Sequence, residues 1–168
     1  KVKVMLLYYT GTYNTRYITN RIKEKIDFAL IESFEVDGKS QIISLQGYDY
    51  IGIGYPIYAF NVPNIFINYL KKLAFPSDSS YFIYKNSGET YSLNDASSNS
   101  IIKVLKKHNC LVQNEYHFMM PYNIHFRFPN DLVNEILLMD EKLIDILLYE
   151  VFKNISNISK YKLKHKFI

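Results

Sequence analysis

The chain contains no tryptophan and only one cysteine, Cys110, among its 168 residues. A single thiol excludes an internal disulfide and a cysteine-held iron–sulfur cluster, so the chain reads as intracellular and its fold must rest on packing. Cys110 itself reads as a small buried residue near the start of a strand rather than as a nucleophile. No apolar run approaches the roughly 18 residues of a membrane span, and the first residues lack a secretory layout. A cytoplasmic protein with no membrane contact is therefore expected. The lysine that ends a nucleotide P-loop is missing, and so is a Gly-x-Ser-x-Gly nucleophile elbow. His108, His117, His125 and His165 fall on separate elements without the paired spacing of a helical zinc motif, so no metal site is expected.

Aromatic residues are abundant instead, with 16 tyrosines and 11 phenylalanines to supply both core and flat binding surface. The length suits one domain with a core that needs no staples. Net charge is +4, an excess matched by Lys160, Lys162, Lys164 and Lys166 alone, which leaves the body nearly neutral. With no recognition motif beside it, this basic end reads as a solvated tail or linker over 159–168 rather than a nucleic-acid contact, and the domain proper spans 1–158.

Apolar runs and periodicity predict alternating elements. Residues 2–9 form a buried strand and 15–29 a helix with Ile18, Ile22, Ile26 and Ala29 inward. A second strand falls near 31–36 or 42–45. Tyr48 to Gly54 reads as a fully buried strand whose glycines admit a neighbouring backbone or a ligand. A helix follows over 63–73, a strand over 80–85, a polar loop over Asn86-Ser87-Gly88-Glu89, a helix over 96–108, a strand over 111–118, and a long helix over 130–154 with Asp140, Glu141, Lys142 and Asp145 on its solvated face. Such alternation implies a mainly parallel sheet covered on both sides.

The first strand ends in Tyr8-Tyr9-Thr10-Gly11-Thr12-Tyr13-Asn14-Thr15. A strand delivering the chain through a small, hydroxylated turn into a helix places unpaired amides and a dipole end where a phosphate can be held, with Thr10, Thr12 and Thr15 as hydroxyl donors. An ordinary strand–turn–helix corner would show a similar pattern.

Thr10-Gly11-Thr12-Tyr13-Asn14-Thr15 resembles the phosphate loop of the flavodoxin family, usually Ser/Thr-Gly-Thr-Gly-Asn-Thr. The exception is Tyr13, which stands where the family commonly has glycine. A tyrosine tolerates positive φ poorly, which puts the turn geometry in question; at negative φ its ring would lie over the phosphate or ribityl region. Gly54-Tyr55-Pro56-Ile57-Tyr58-Ala59-Phe60-Asn61-Val62-Pro63 is similar to the second flavin loop of flavodoxin domains that are joined to two-cluster ferredoxin domains, and Met120-Pro121-Tyr122-Asn123 resembles a further motif of that subgroup. No cysteine-rich half is present, and the lysine-rich end lies where a linker to one would begin.

The resemblance implies a flavodoxin-like α/β three-layer sandwich, with a five-stranded parallel sheet of order 2-1-3-4-5 and FMN at the switch point between the first and third strands. It further implies that Thr10, Gly11, Thr12, Tyr13, Asn14 and Thr15 hold the phosphate and that Pro56, Ile57, Tyr58, Ala59, Phe60 and Asn61 run along the ring, with Tyr58 stacked on it. Asn86, Ser87, Gly88 and Glu89 would meet the pyrimidine edge, and Tyr91 would close the other face. The implied function is an FMN-dependent electron carrier with a ferredoxin-type iron–sulfur domain as partner, on the same chain or another. The alternative is an FMN-dependent NAD(P)H quinone or flavin reductase. A phosphoacceptor receiver domain shares the strand order but needs acidic residues at the strand ends, where this chain has Tyr9-Thr10 and Gly54-Tyr55.

Overall fold

A computed structural model describes residues 1–88, 92–120 and 130–158. Glu89, Tyr91, His125, His165, most of the Met120–Asn123 motif and the basic tail lie outside these residues.

Five strands, β1 (Lys3–Tyr9), β2 (Leu30–Val36), β3 (Tyr50–Pro56), β4 (Ser80–Ser87) and β5 (Val112–Met119), form one sheet of order β2-β1-β3-β4-β5. All four pairings are parallel. The helices are α1 (Asn14–Lys25), α2 (Asn64–Leu70), α3 (Asn99–Lys106) and α4 (Asn130–Phe152), with a 3-10 segment over Ser92–Ser98. The parallel sheet agrees with the alternation of elements, and its strand order is the flavodoxin-like one that the resemblance implies.

The sheet carries a separate core on each face. Met5, Leu7, Ile51, Ile53, Tyr55 and Ile83 pack with Phe66 and Leu70 of α2 and Ile101 and Leu105 of α3. Val4, Leu6, Phe82, Tyr84 and Phe118 pack with Ile18 and Ile22 of α1 and Ile144 and Leu147 of α4. Successive strand side chains point to opposite faces, so strands buried on both sides must be apolar at nearly every position, as β1 and β3 are.

Gly52 and Gly54 do admit close neighbours, but these are aromatic rings rather than backbone or ligand. A Cβ at Gly52 would overlap the Phe82 ring, and one at Gly54 the Tyr84 ring. The buried Tyr84 ring then reaches α1, where its hydroxyl lies 2.8 Å from Thr19 Oγ1, and Thr19 donates to the Thr15 carbonyl at 2.8 Å. The glycine on β3 thus sets how closely the first turn of α1 seats on the sheet.

Several boundaries differ from expectation. The first helix stops at Lys25, and Ile26, though buried, is extended (φ −94°) as the chain turns toward β2. Residues 42–45 form no strand; Leu45 instead packs into the α2/α3 core. The predicted third helix begins as 3-10 turns and becomes α-helical only at Asn99. The α4 surface reading is corrected at two residues. Asp140 is buried, at 4% exposure. Glu141, partly buried, faces α1, where it pairs with Arg21 at 2.6 Å and Lys25 at 2.8 Å. The Arg21 hydrogen bond, helped by Lys25, holds its carboxyl down to about 2.

Candidate functional site

Three connections converge at the carboxyl end of the sheet, around the switch point where chain direction diverges from β1 and β3. The first runs from Thr10 to the start of α1. Tyr17 N–H to Tyr13 O, at 2.9 Å, is the first backbone bond of the helix, so the amides of Thr15 and Arg16 precede the intrahelical ladder. No acidic side chain occupies the first turn. Thr10 Oγ1 is buried with no hydrogen-bond partner, a costly state for a hydroxyl. Thr15 Oγ1 accepts from Asn86 Nδ2 at 2.7 Å and keeps its own proton to donate.

Tyr13 takes the left-handed conformation at φ 68°, the geometry glycine supplies in the resembling loop. The turn thus keeps its left-handed geometry despite the tyrosine, and the negative-φ alternative is not the one adopted: the ring is 66% exposed and lies under the Arg16 guanidinium, 4.6 Å from its centroid. Left-handed backbone costs a non-glycine residue about 1–2 kcal/mol, which the cation–π contact offsets in part. Arg16 in turn makes a bidentate pair with Glu35 of β2, both bonds 2.8 Å. Burial, with the Glu35 charge beside it, raises the Tyr8 hydroxyl pKa. Sequence reading missed Arg16; its position two residues past Asn14, directly after the hydroxylated turn, was the available signal.

The second connection is a tight hairpin. Tyr58 N–H donates to Asn61 O and Asn61 N–H to Tyr58 O, both at 2.9 Å, with Ala59 (φ 46°) and Phe60 (φ 65°) at the tip. Two positive φ values in succession are the pattern of a type I′ turn, which favours Asn-Gly. The double substitution Ala59→Asn with Phe60→Gly should therefore raise stability by about 1–2 kcal/mol, measured by urea unfolding. No gain would mean that the turn is unstrained. Tyr58 meets Tyr9 edge-on at 6.4 Å, and Tyr9 stacks on Phe66. The Tyr58 hydroxyl lies where a Cβ on Gly11 would project, so the tip of the second loop's tyrosine rests against the first loop, and a side chain there would push that ring aside. Pro56 is buried at the end of β3, Ile57 half-buried, and Tyr58, Ala59, Phe60 and Asn61 exposed.

The third connection differs from the polar loop expected from sequence. Asn86 and Ser87 still belong to β4, and Gly88 is a bend after it. Asn86 is 2% exposed, its side chain directed to Thr15 and, at 3.4 Å, to the Tyr55 carbonyl, while its own carbonyl accepts from Ile57 N–H at 2.9 Å. It ties all three loops together from below. On the opposite face of β4, Ser87 Oγ lies 2.6 Å from His117 Nε2, and Asn94 Nδ2 reaches the same hydroxyl at 3.5 Å. Burial, then the Lys85 charge, lowers the His117 pKa and favours the neutral ring, with Asp95 opposing.

Elsewhere, Cys110 is buried and burial raises its thiol pKa, as befits a packed residue. Among the described residues no group of three His, Cys, Asp or Glu side chains is placed to hold a metal ion, and no helix is long and apolar enough to cross a membrane.

No family model matches the chain, and no curated protein matches it in sequence. Solved structures do match in three dimensions. A short-chain flavodoxin associated with a non-canonical PDU bacterial microcompartment superposes with TM-score 0.63 at 13% identity, over 93% of this chain and 100% of that one. A flavoprotein from Lactobacillus acidophilus in complex with FMN gives 0.53 at 14% identity, covering 70% of this chain and 93% of that one. An NADPH-quinone reductase from P. pentosaceus gives 0.56 at 10%, covering 84% and 96%. At these identities the likeness is one of fold, and that fold is flavodoxin-like.

Proposed function

We propose that the chain binds FMN at the three converging loops and serves as an electron carrier. The observation that carries this reading is the buried, unpartnered Thr10 hydroxyl in the turn that leads into α1, a helix whose first turn carries a Thr15 hydroxyl aligned by Asn86. A phosphate monoester would satisfy Thr10 and use the helix amides and dipole together. The solved structures of the same fold, one of them an FMN complex, support the choice of ligand.

Thr10, Thr12, Asn14 and Thr15 would hold the phosphate, with the amides of Gly11 to Thr15 turned toward it. Tyr58 and the hairpin Pro56–Asn61 would border the ring, and Ser87 and Gly88 its polar edge. Asn86 would act beneath the site by fixing Thr15. Bound FMN would supply reversible electron acceptance and donation, while the protein orients the ring and excludes water. Exposed Tyr13, Tyr58 and Phe60 form an aromatic rim at this end of the sheet. That rim suits a redox partner, and a ferredoxin-type iron–sulfur domain is the partner we propose. A reductase would instead need room for a second flat substrate over the flavin.

The test is a titration of phosphate-free protein with FMN and with riboflavin. Binding of FMN more than tenfold tighter than riboflavin supports the reading; equal or absent binding overturns it. Catalytic oxidation of NADH or NADPH by the FMN-loaded protein with a quinone acceptor would favour the reductase over the carrier.

A further inference from the structure

Lys85 is the least expected residue in the sheet. It lies near the carboxyl end of β4 at 2% exposure, on the face that carries Ile83 and Tyr81 into the α2/α3 core. Lysine is almost never fully buried unless it is paired, because an ammonium taken out of water loses its hydration. An apolar side chain could continue that core, so the charge needs a reason.

Its contacts give one. Among the described residues, Lys85 Nζ donates to the Asn94 carbonyl at 3.0 Å, the Asp95 carbonyl at 3.2 Å and Ser98 Oγ at 3.4 Å. Ser98 passes the interaction on, donating to Glu115 Oε1 of β5 at 2.6 Å. The 3-10 segment is thus fastened to the sheet by a buried cation that holds two of its backbone carbonyls. Asn94, whose carbonyl Lys85 holds, extends its own amide to Ser87 Oγ. His117 meets the same hydroxyl from β5.

We propose that Lys85 is a positioning residue at the carboxyl end of β4: its buried ammonium pins Asn94 and Asp95 and, through the Asn94 amide, helps to orient Ser87 at the edge of the flavin ring. This rests on the FMN-binding reading above. Lys85 does not touch the phosphate loop, so its contribution falls on the ring, which FMN and riboflavin share. As a buried positive charge two residues before Ser87 on β4, it would also favour the electron-rich reduced cofactor.

Lys85→Met, similar in length but neutral, is the primary test. In the ligand-free variant, amide hydrogen exchange of residues 94–98 should quicken at least tenfold while β4 and β5 stay protected. The dissociation constants of FMN and riboflavin should rise by the same factor, about tenfold, and the midpoint potential of the bound flavin should fall. Unchanged exchange overturns the pinning role. Changed exchange with unchanged affinities and potential overturns the link to the ring. If the wild-type chain binds neither flavin, the functional reading fails and takes that link with it, and exchange alone then decides the pinning. Should Lys85→Met not fold, Ser98→Ala keeps the cation and removes one acceptor. It should give the same pattern at about threefold, and wild-type values in exchange and affinity would overturn the proposal.

Discussion

Replacing Thr10 by valine should make the ligand-free chain more stable and its FMN complex weaker. Valine matches threonine in shape and removes the buried hydroxyl that has no partner. Relieving an unsatisfied buried polar group is expected to gain about 1 kcal/mol. When a phosphate is bound, the same hydroxyl would donate to a charged oxygen, an interaction of about 1.5–3 kcal/mol, or roughly 10- to 100-fold in affinity. Riboflavin lacks the phosphate and should bind wild type and variant alike. Urea unfolding of the free chain and paired flavin titrations give the three numbers. Loss of stability in the free variant would show that Thr10 is already satisfied, and equal loss for both flavins would place it away from the phosphate. Opposed signs for folding and binding are the mark of a group held unsatisfied for a ligand.

Asp140→Asn should stabilise the protein by about 2–4 kcal/mol at pH 8 and by little at pH 4. Burial raises the Asp140 carboxyl to about 7, opposed in part by a hydrogen bond from the Met119 backbone and reinforced by the Glu141 charge. One of its oxygens, Oδ2, is buried without a partner. The unfolded chain ionises this group near the ordinary value of about 3.9. Between these limits the folded chain therefore holds more protons than the unfolded one, and stability falls as pH rises from about 4 to about 7. Above that the full cost is present, about 4 kcal/mol. Asparagine escapes the ionisation, though its amide nitrogen inherits an unpartnered position, which sets the lower end of the range. Unfolding midpoints of wild type and variant should converge toward pH 4 and separate toward pH 8. A constant difference would show that Asp140 is ionised and compensated in the folded chain.

The middle of the sheet was legible because β1, β3 and β4 are buried on both faces, which leaves apolar runs in the sequence, and because the hydroxylated turn follows the first of them; the half-exposed edge strand β2 left two candidate positions. The helix faces were legible where periodicity is strong, as at Ile18 and Ile22. What failed depended on tertiary placement. Asp140 carries the same letter as an exposed aspartate, and only its position against β5 reveals burial. Tyr13 accepts a backbone conformation that tyrosine disfavours because the turn into α1 demands it and Arg16 covers the ring. Gly52 and Gly54 signalled a close approach without identifying the rings on β4 that make it. Asn86 read as a loop residue, since nothing local shows that β4 continues through Ser87. Lys85 left no signal at all: the Asn94 and Asp95 groups it holds are backbone carbonyls, which no motif records.

The most direct test of the central claim is a titration of phosphate-free wild-type protein with FMN and riboflavin, followed by the visible absorption of the bound flavin. The account predicts a perturbed flavin spectrum at saturation and an affinity for FMN more than tenfold above that for riboflavin. A folded chain that leaves the FMN spectrum unchanged, or that holds both flavins equally, would contradict it.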